Sequence, residues 1–191
     1  LGFVMGREGR SPVAEALSAC GAFLVSLGVV LITRQAFAGP QLSPLDGASV
    51  GYAETVMIAL VLIALTTGAR LWHDAAGSRV ARLGVLTLGS IAIGWAVLGL
   101  GLVRNPFLDG STVEGPVIFN RILWGHGLTA LALAGAAWWL RDGFARLSRA
   151  FGLTASVAAI GCAFLLLRHG LHGPTLASEV PITLAESGIY A

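Results

Sequence analysis

Charged side chains are scarce in this chain. Only 12% of its 191 residues are Asp, Glu, Lys or Arg, whereas about 25% is usual in a soluble domain. Hydrophobic residues make up 55% of the sequence, and the mean hydropathy is +0.81. Lysine is absent, and the formal net charge of +2 is too small to indicate a partner nucleic acid. This composition excludes an ordinary soluble domain and indicates a protein that spans the lipid bilayer.

Several motifs of enzymes and metal sites are absent as well. The chain contains no P-loop, no H-E-x-x-H zinc motif and no C-x-x-C pair. Its two cysteines, Cys20 and Cys162, lie inside apolar runs, which favours buried small side chains over a disulfide. We therefore predict a protein that is not an enzyme and that holds neither a metal nor a cofactor.

Five apolar runs reach the ~20 residues that a helix needs to cross a bilayer. They cover residues 13–33, 50–72, 80–103, 117–140 and 147–167, and a sixth run begins near Ile182. The sixth has about half the spanning length when the sequence ends, so we expect a longer parent chain. The predicted fold class is all-α: one membrane domain over residues 1–191, with five full transmembrane helices and the start of a sixth.

Arginine is distributed unevenly between the two ends of these helices. Eight arginines lie at one end: Arg7, Arg10, Arg70, Arg79, Arg82, Arg141, Arg146 and Arg149. Only three lie at the other end: Arg34, Arg104 and Arg168. Because basic residues concentrate on the cytoplasmic side of a membrane, this asymmetry predicts a bacterial inner-membrane protein with a cytoplasmic N-terminus. The longer loops, which contain glycine and proline, would then face outward.

Polar residues recur with a period of 66 residues near the starts of the even-numbered helices, at Glu54, Asn120 and Glu186. The helices before them each end at one arginine: Arg34, Arg104 and Arg168. We interpret the unit as an out-and-back helical hairpin that is present nearly three times. The three copies would cover about residues 7–72, 79–140 and 146–191, the last of them truncated.

These six residues, together with Arg121, form a candidate polar layer near the outer boundary of the membrane. Ionisable groups are costly in a bilayer, so they usually face the bundle interior and pair with one another. One interpretation is that Arg–Glu and Arg–Asn contacts tie each hairpin together, with Arg168 meeting Glu186 in the third. The other is a shared pocket facing the periplasm, which would suit an anionic group because arginines outnumber carboxylates there.

Three histidines are weaker candidates. His126 lies about ten residues, or ~15 Å, into its predicted helix, where an interhelical hydrogen bond is the simplest role. A pair of haem ligands would need a second histidine at that depth, and the sequence has none. His169 and His172 are three residues apart and could share a metal on a continuous helix. Gly170 and Gly173 predict instead that the helix frays there, which leaves a polar loop at the interface.

Two stretches resemble the family called domain of unknown function 2339. In the first, NPFL at 105–108 and FN at 119–120 precede GHG at 125–127. In the second, LRH at 167–169 and HGP at 172–174 precede LAE at 184–186 and Tyr190. That family consists of bacterial multi-pass membrane proteins with more helices and no established activity, so the resemblance implies topology and not chemistry. It covers mainly residues 104–191, and His126 departs from it because an aromatic residue is expected there.

Two classes of function follow from these features. The first is a non-enzymatic scaffold or envelope-associated component of the inner membrane. The alternative is a transporter or lipid-handling protein that uses the polar layer as its substrate site. Inverted repeats with broken helices would favour transport, but the complete hairpins here start on the same side and are therefore parallel. The expected partners are the lipid bilayer and the rest of the longer chain.

Overall fold

The computed structural model describes residues 12–38, 51–177 and 181–190. These ranges contain α1 (Pro12–Ala38), α2 (Tyr52–Ala76), α3 (Arg79–Trp95), α4 (Pro106–Asp109), α5 (Leu128–Leu140), α6 (Ala145–His172) and α7 (Leu184–Tyr190). Two π-helical segments extend these helices: Ala96–Val103 continues α3, and Leu123–Gly127 leads into α5. No strand occurs within the described ranges, so the predicted all-α class is confirmed.

Four helical segments are long and apolar enough to cross a membrane. They are Val13–Phe37, Tyr52–Ala76, Arg79–Asp109 and Ala145–His172, with mean hydropathies of 1.8 to 2.2. These segments correspond to the first, second, third and fifth predicted helices. Their length and composition are those of a protein embedded in a membrane.

The fourth predicted helix begins later than expected. Residues 117–120 are not helical, and helical structure starts at Arg121. Asn120 is the reason, because its Oδ1 accepts hydrogen bonds from the backbone N–H groups of Ile122 (2.9 Å) and Leu123 (3.3 Å). A side chain that accepts from the first free N–H groups of a helix is an N-cap. Asn120 thus precedes the helix, which corrects the expectation that it lies within the first turns.

The helices pack most closely in two pairs, α2 with α3 and α5 with α6. Each pair is joined by a short loop, residues 77–78 and 141–144. The two pairs share an apolar core, with Ile58 and Val85 from one and Leu133 and Phe151 from the other. α3 approaches α6 closely at Gly89, where an added Cβ would lie 2.8 Å from Leu147 Cδ2.

α1 differs from the other long helices because none of its residues 13–37 is buried. Its apolar side chains, such as Phe23 and Ile32, are 66% and 68% exposed, although α1 contacts α2 and α3. A helix that is apolar on all sides and exposed on most of them fits a lipid environment. α2 is central instead, since it contacts α1, α3 and α5.

Two longer segments, residues 104–120 and 173–177, lie at the opposite end of the helices from the short loops. We call this the long-loop end. The backbone N–H of Val113 donates to the Pro174 carbonyl at 2.8 Å. Beneath this bond lies a buried apolar cluster: Val113, Ile122, Cys162, Leu165 and Leu176. The two segments therefore form one packed layer, which carries most of the candidate site.

Candidate functional site

The guanidinium of Arg168 is fully enclosed at the long-loop end. Arg168 is 1% exposed and Glu186 is 0% exposed, and Arg168 Nη1 lies 2.7 Å from Glu186 Oε1. Nε donates to the Leu176 carbonyl at 3.1 Å, and Nη2 donates to the Ala177 carbonyl at 3.0 Å. A buried ion pair is tolerated when its remaining polar atoms are hydrogen-bonded, as these are. The expected contact between Arg168 and Glu186 is confirmed.

The second oxygen of Glu186 binds His172, with 2.6 Å between Oε2 and Nε2. Glu186 therefore joins α7 to two positions on the last turn and a half of α6. α6 runs through Gly170 to His172, so the predicted fraying at Gly170 is wrong. The helix ends one residue later, at Gly173, whose φ of 69° suits glycine and whose N–H bonds the His169 carbonyl.

His169 connects the end of α6 to the other long segment. It is 4% exposed, so it is not the solvated interfacial residue that the sequence suggested. Its Nδ1 lies 2.7 Å from the Gly173 carbonyl oxygen, and its Nε2 lies 3.2 Å from that of Gly115. Both partners only accept, so a neutral ring satisfies one of them and a protonated ring satisfies both. His169 and His172 thus turn to different partners and do not converge on a metal.

A second, looser Arg–Glu pair joins Arg34 and Glu54. Arg34 Nη1 lies 3.9 Å from Glu54 Oε1, compared with 2.7 Å between Arg168 and Glu186. Glu54 is 5% exposed, and its Oε1 makes no hydrogen bond to the described residues. The pair links the end of α1 to the start of α2, as the sequence predicted.

Arg104 and Arg121 have no carboxylate partner among the described residues. Arg121 Nη2 donates to Ser111 Oγ at 2.6 Å, and its guanidinium lies 5.4 Å from the centre of the Tyr52 ring. The Nε atoms of both arginines are buried and lack hydrogen bonds within the described ranges. The side chain of Asn120 bonds backbone groups of its own loop and helix. None of these hydrogen bonds is the expected contact with Arg104.

His126 lies deeper, in the π-helical segment that precedes α5, and its ring contacts Tyr52 of α2. It is 5% exposed, and its Nδ1 lies 2.8 Å from Tyr52 Oη. The predicted interhelical hydrogen bond is thus confirmed. Tyr52 Oη also donates to the Arg121 carbonyl at 3.1 Å. A Cβ on Gly125 would overlap Tyr52 Oη, so a glycine is required for the tyrosine to come this close.

Tyr52 belongs to the candidate site, although the sequence did not point to it. It contacts both Arg121 and His126, yet it stands alone in the sequence and belongs to no motif. The GHG triplet at 125–127 was the one available signal, because a glycine permits the close approach of another group. The carbonyl partners of Arg168 carried no signal at all, since any residue supplies a carbonyl.

Residues 47–51 read GASVG, which matches the catalytic pattern G-x-S-x-G. Ser49 lies outside the described residues. In α/β-hydrolases this pattern forms a turn from a strand into a helix, with an acid and a histidine nearby. The described ranges contain no strand, so the pattern alone does not favour a hydrolase here.

No family model, curated protein or solved structure matches this chain. The resemblance to the domain of unknown function 2339 family therefore stays a prediction. Function has to be argued from the geometry of the polar groups themselves.

Proposed function

We propose that this chain is a non-enzymatic, multi-pass protein of the bacterial inner membrane, which acts as a scaffold or envelope-associated component. On this proposal the polar layer is structural. It fixes the long segments and α7 against the bundle, so that the protein presents a constant surface at that end. The contacts within the chain explain why these polar residues are buried, and no bound substrate is needed to explain it.

This proposal rests on the hydrogen bonds of Arg168. All three of its guanidinium nitrogens bond groups of the same chain, and both oxygens of Glu186 are occupied as well. A substrate site keeps polar atoms available for its ligand. Here the buried guanidinium of Arg168 instead holds two loop carbonyls and α7 in place.

The alternative function, transport or lipid handling, is favoured by a separate observation. The buried Nε atoms of Arg104 and Arg121 have no hydrogen-bond partner in the described parts of the chain, and both arginines lack a carboxylate there. An apolar groove with a volume of about 800 Å³ also lies between α5 and α6. On this alternative, an anionic lipid would place its headgroup on the arginines.

Substitution of these two arginines separates the proposals. The variants are Arg104→Gln, Arg121→Gln and the double change, with Arg82→Gln as a charge-matched control because Arg82 is exposed at the short-loop end. Each is expressed in a host that lacks its own copy, and growth is compared with the Tm of the purified protein in detergent. For a scaffold, variants that keep the parental Tm should support normal growth.

A folded double variant that fails to support growth, while Arg82→Gln succeeds, would contradict the scaffold proposal. It would identify the arginines as a functional anion site. Growth loss that follows Tm loss in every variant would agree with a structural layer.

A further inference from the structure

The apolar groove between α5 and α6 is long enough to hold a lipid chain. One wall runs from Leu123 to Ala137, and the other runs from Gly152 to Leu166. Each wall is ~21 Å long at ~1.5 Å per residue, which exceeds the ~15 Å that one leaflet of the hydrocarbon core provides. Half of the lining residues are glycine or alanine, so the space between the helices stays open. Leu131 in this lining is 71% exposed, so the groove opens to the surroundings of the bundle.

The lining of the groove suits a hydrocarbon occupant. Ser156 Oγ donates to the Gly152 carbonyl at 3.0 Å, and Cys162 Sγ lies 3.9 Å from the Ile122 carbonyl oxygen. These two polar side chains are therefore bonded within the chain. Apart from the indole of Trp124, the other lining side chains are hydrocarbon. An occupant gains stability here by burying apolar surface.

Two arginines lie at the short-loop end of this groove. Arg141 follows the lining residue Ala137 by four positions and is still in the right-handed helical conformation. Arg149 precedes the lining residue Gly152 by three positions on α6. Residues three or four apart share a helix face, so each arginine extends one wall of the groove. The two walls meet there, because Ser148 Oγ donates to the Ala137 carbonyl at 2.8 Å.

The chain neutralises these two guanidinium groups poorly. Arg141 Nε lies 3.4 Å from Asp142, whose side chain is 83% exposed, and exposed pairs of this kind are weak. Arg149 Nε bonds the Ala145 carbonyl at 3.4 Å, and Arg149 forms no ion pair within the described ranges. The Arg141 guanidinium lies 3.8 Å from the centre of the Trp138 ring. Tryptophan beside arginine is typical of the level of the lipid headgroups.

We propose that this groove binds one anionic phospholipid from the leaflet at the short-loop end, with an acyl chain between α5 and α6 and its phosphate on Arg141 and Arg149. Guanidinium groups match the geometry of phosphate oxygens. Basic sites between transmembrane helices on the cytoplasmic side, where we predict the short loops, bind anionic headgroups. The inference goes beyond the proposed scaffold, and its headgroup lies at the opposite end of the bundle from Arg104 and Arg121.

Charge favours this occupant over a helix from a second copy of the chain. Copies inserted with one topology carry the same residues at the same depth in the membrane. A second copy would therefore bring its own Arg141 and Arg149 to the end of the bundle where countercharge is needed. A zwitterionic lipid is also less suitable, because it brings a cation together with its phosphate. An anionic phospholipid supplies both the apolar chain and the missing negative charge.

Lipid retention by the purified protein tests the headgroup assignment. The protein is equilibrated in detergent with equal amounts of phosphatidylglycerol and phosphatidylcholine that carry the same acyl chains, and bound lipid is measured by native mass spectrometry. The parent should retain phosphatidylglycerol preferentially. Arg141→Gln or Arg149→Gln should lower this preference about 5-fold, and the double change about 30-fold. Arg82→Gln is the matched control, because Arg82 is exposed at the same end on α3, and it should leave the preference unchanged.

Three results of this experiment would overturn the proposal. The first is equal retention of the two lipids by the parent. The second is a preference that survives the double change or that is lost equally in Arg82→Gln. The third is a preference that is lost in Arg104→Gln/Arg121→Gln but kept in Arg141→Gln/Arg149→Gln, since the headgroup would then lie at the long-loop end.

Filling the groove gives an independent test that leaves the arginines in place. Ala134 and Ala159 line the groove and are exposed, so Ala134→Phe or Ala159→Phe places a ring in the groove and not in the core. Either change should lower the retention of phosphatidylglycerol several-fold. Val157→Phe is the control, because Val157 is 68% exposed and does not line the groove. Unchanged retention in both filled variants would overturn the proposal. Conversion of a protein dimer to monomers with unchanged retention would also overturn it, because a second copy would then be the occupant.

Discussion

Removal of Glu186 alone should damage this protein more than removal of the whole ion pair. Both of its oxygens lie within hydrogen-bond distance of a basic group, at 2.7 Å from Arg168 and 2.6 Å from His172. Glu186→Ala would leave the Arg168 guanidinium buried without its countercharge, which costs about 3–5 kcal/mol for pairs of this kind. In chains of 150–250 residues each kcal/mol shifts the Tm by about 2–4 °C, so we expect a fall of roughly 6–20 °C.

The double change Arg168→Ala/Glu186→Ala should lower the Tm by less than Glu186→Ala. It removes both charges of the pair together and leaves the carbonyls of Leu176 and Ala177 and the ring of His172 without these partners. Glu186→Gln is an informative intermediate, since it keeps the shape and one acceptor but removes the charge. Asp142→Ala is the control, because the Arg141–Asp142 pair has a 3.4 Å separation and an Asp side chain that is 83% exposed. Exposed pairs contribute only about 0–1 kcal/mol.

The assay is thermal unfolding of the purified variants in one detergent, followed by tryptophan fluorescence, with host growth measured in parallel. A Glu186→Ala protein as stable as its parent would refute the reasoning, as would a double variant less stable than the single one. If the layer is a binding pocket, Glu186→Ala should keep its Tm and lose function, and the double change should restore nothing.

Three further predictions concern topology and packing. Cysteines placed at Thr112 and Thr175 should be labelled by an impermeant reagent from the periplasm, and cysteines at Ala75 and Asp142 should not; the reverse pattern would refute the cytoplasmic N-terminus. Gly127→Cys should form a disulfide with Cys162 under mild oxidation, because an added Cβ would lie 3.6 Å from Cys162 Sγ. Gly127→Cys/Cys162→Ser is its control, and failure of the first to cross-link would contradict the α5–α6 register. Gly125→Ala should lower the Tm by displacing Tyr52, whereas Gly135→Ala, with nothing within 4 Å, should be neutral or stabilising since alanine favours helix by about 1 kcal/mol.

The sequence by itself determined the elements that depend on local composition. Runs of about 20 apolar residues have few alternatives to a membrane-spanning helix, because every backbone polar group must be satisfied within the segment. The first, second, third and fifth predicted helices are confirmed for that reason. The pairing of Arg168 with Glu186 was also predictable, since an isolated charge in this setting is too costly to leave without a partner.

Only the tertiary structure decided how the polar residues are used. Asn120 could have entered its helix or capped it, and the choice depended on where the first free N–H groups of that helix lie. The fraying predicted at Gly170 did not occur, because His169 and Arg168 bond loop carbonyls that hold the helix end together. Tyr52 reaches His126 across 74 positions of sequence, and contacts of that range are set by packing of whole helices. The local composition therefore determined which segments are helical. The positions of the loop carbonyls, and the space left beside glycines such as Gly125, determined which side chains meet.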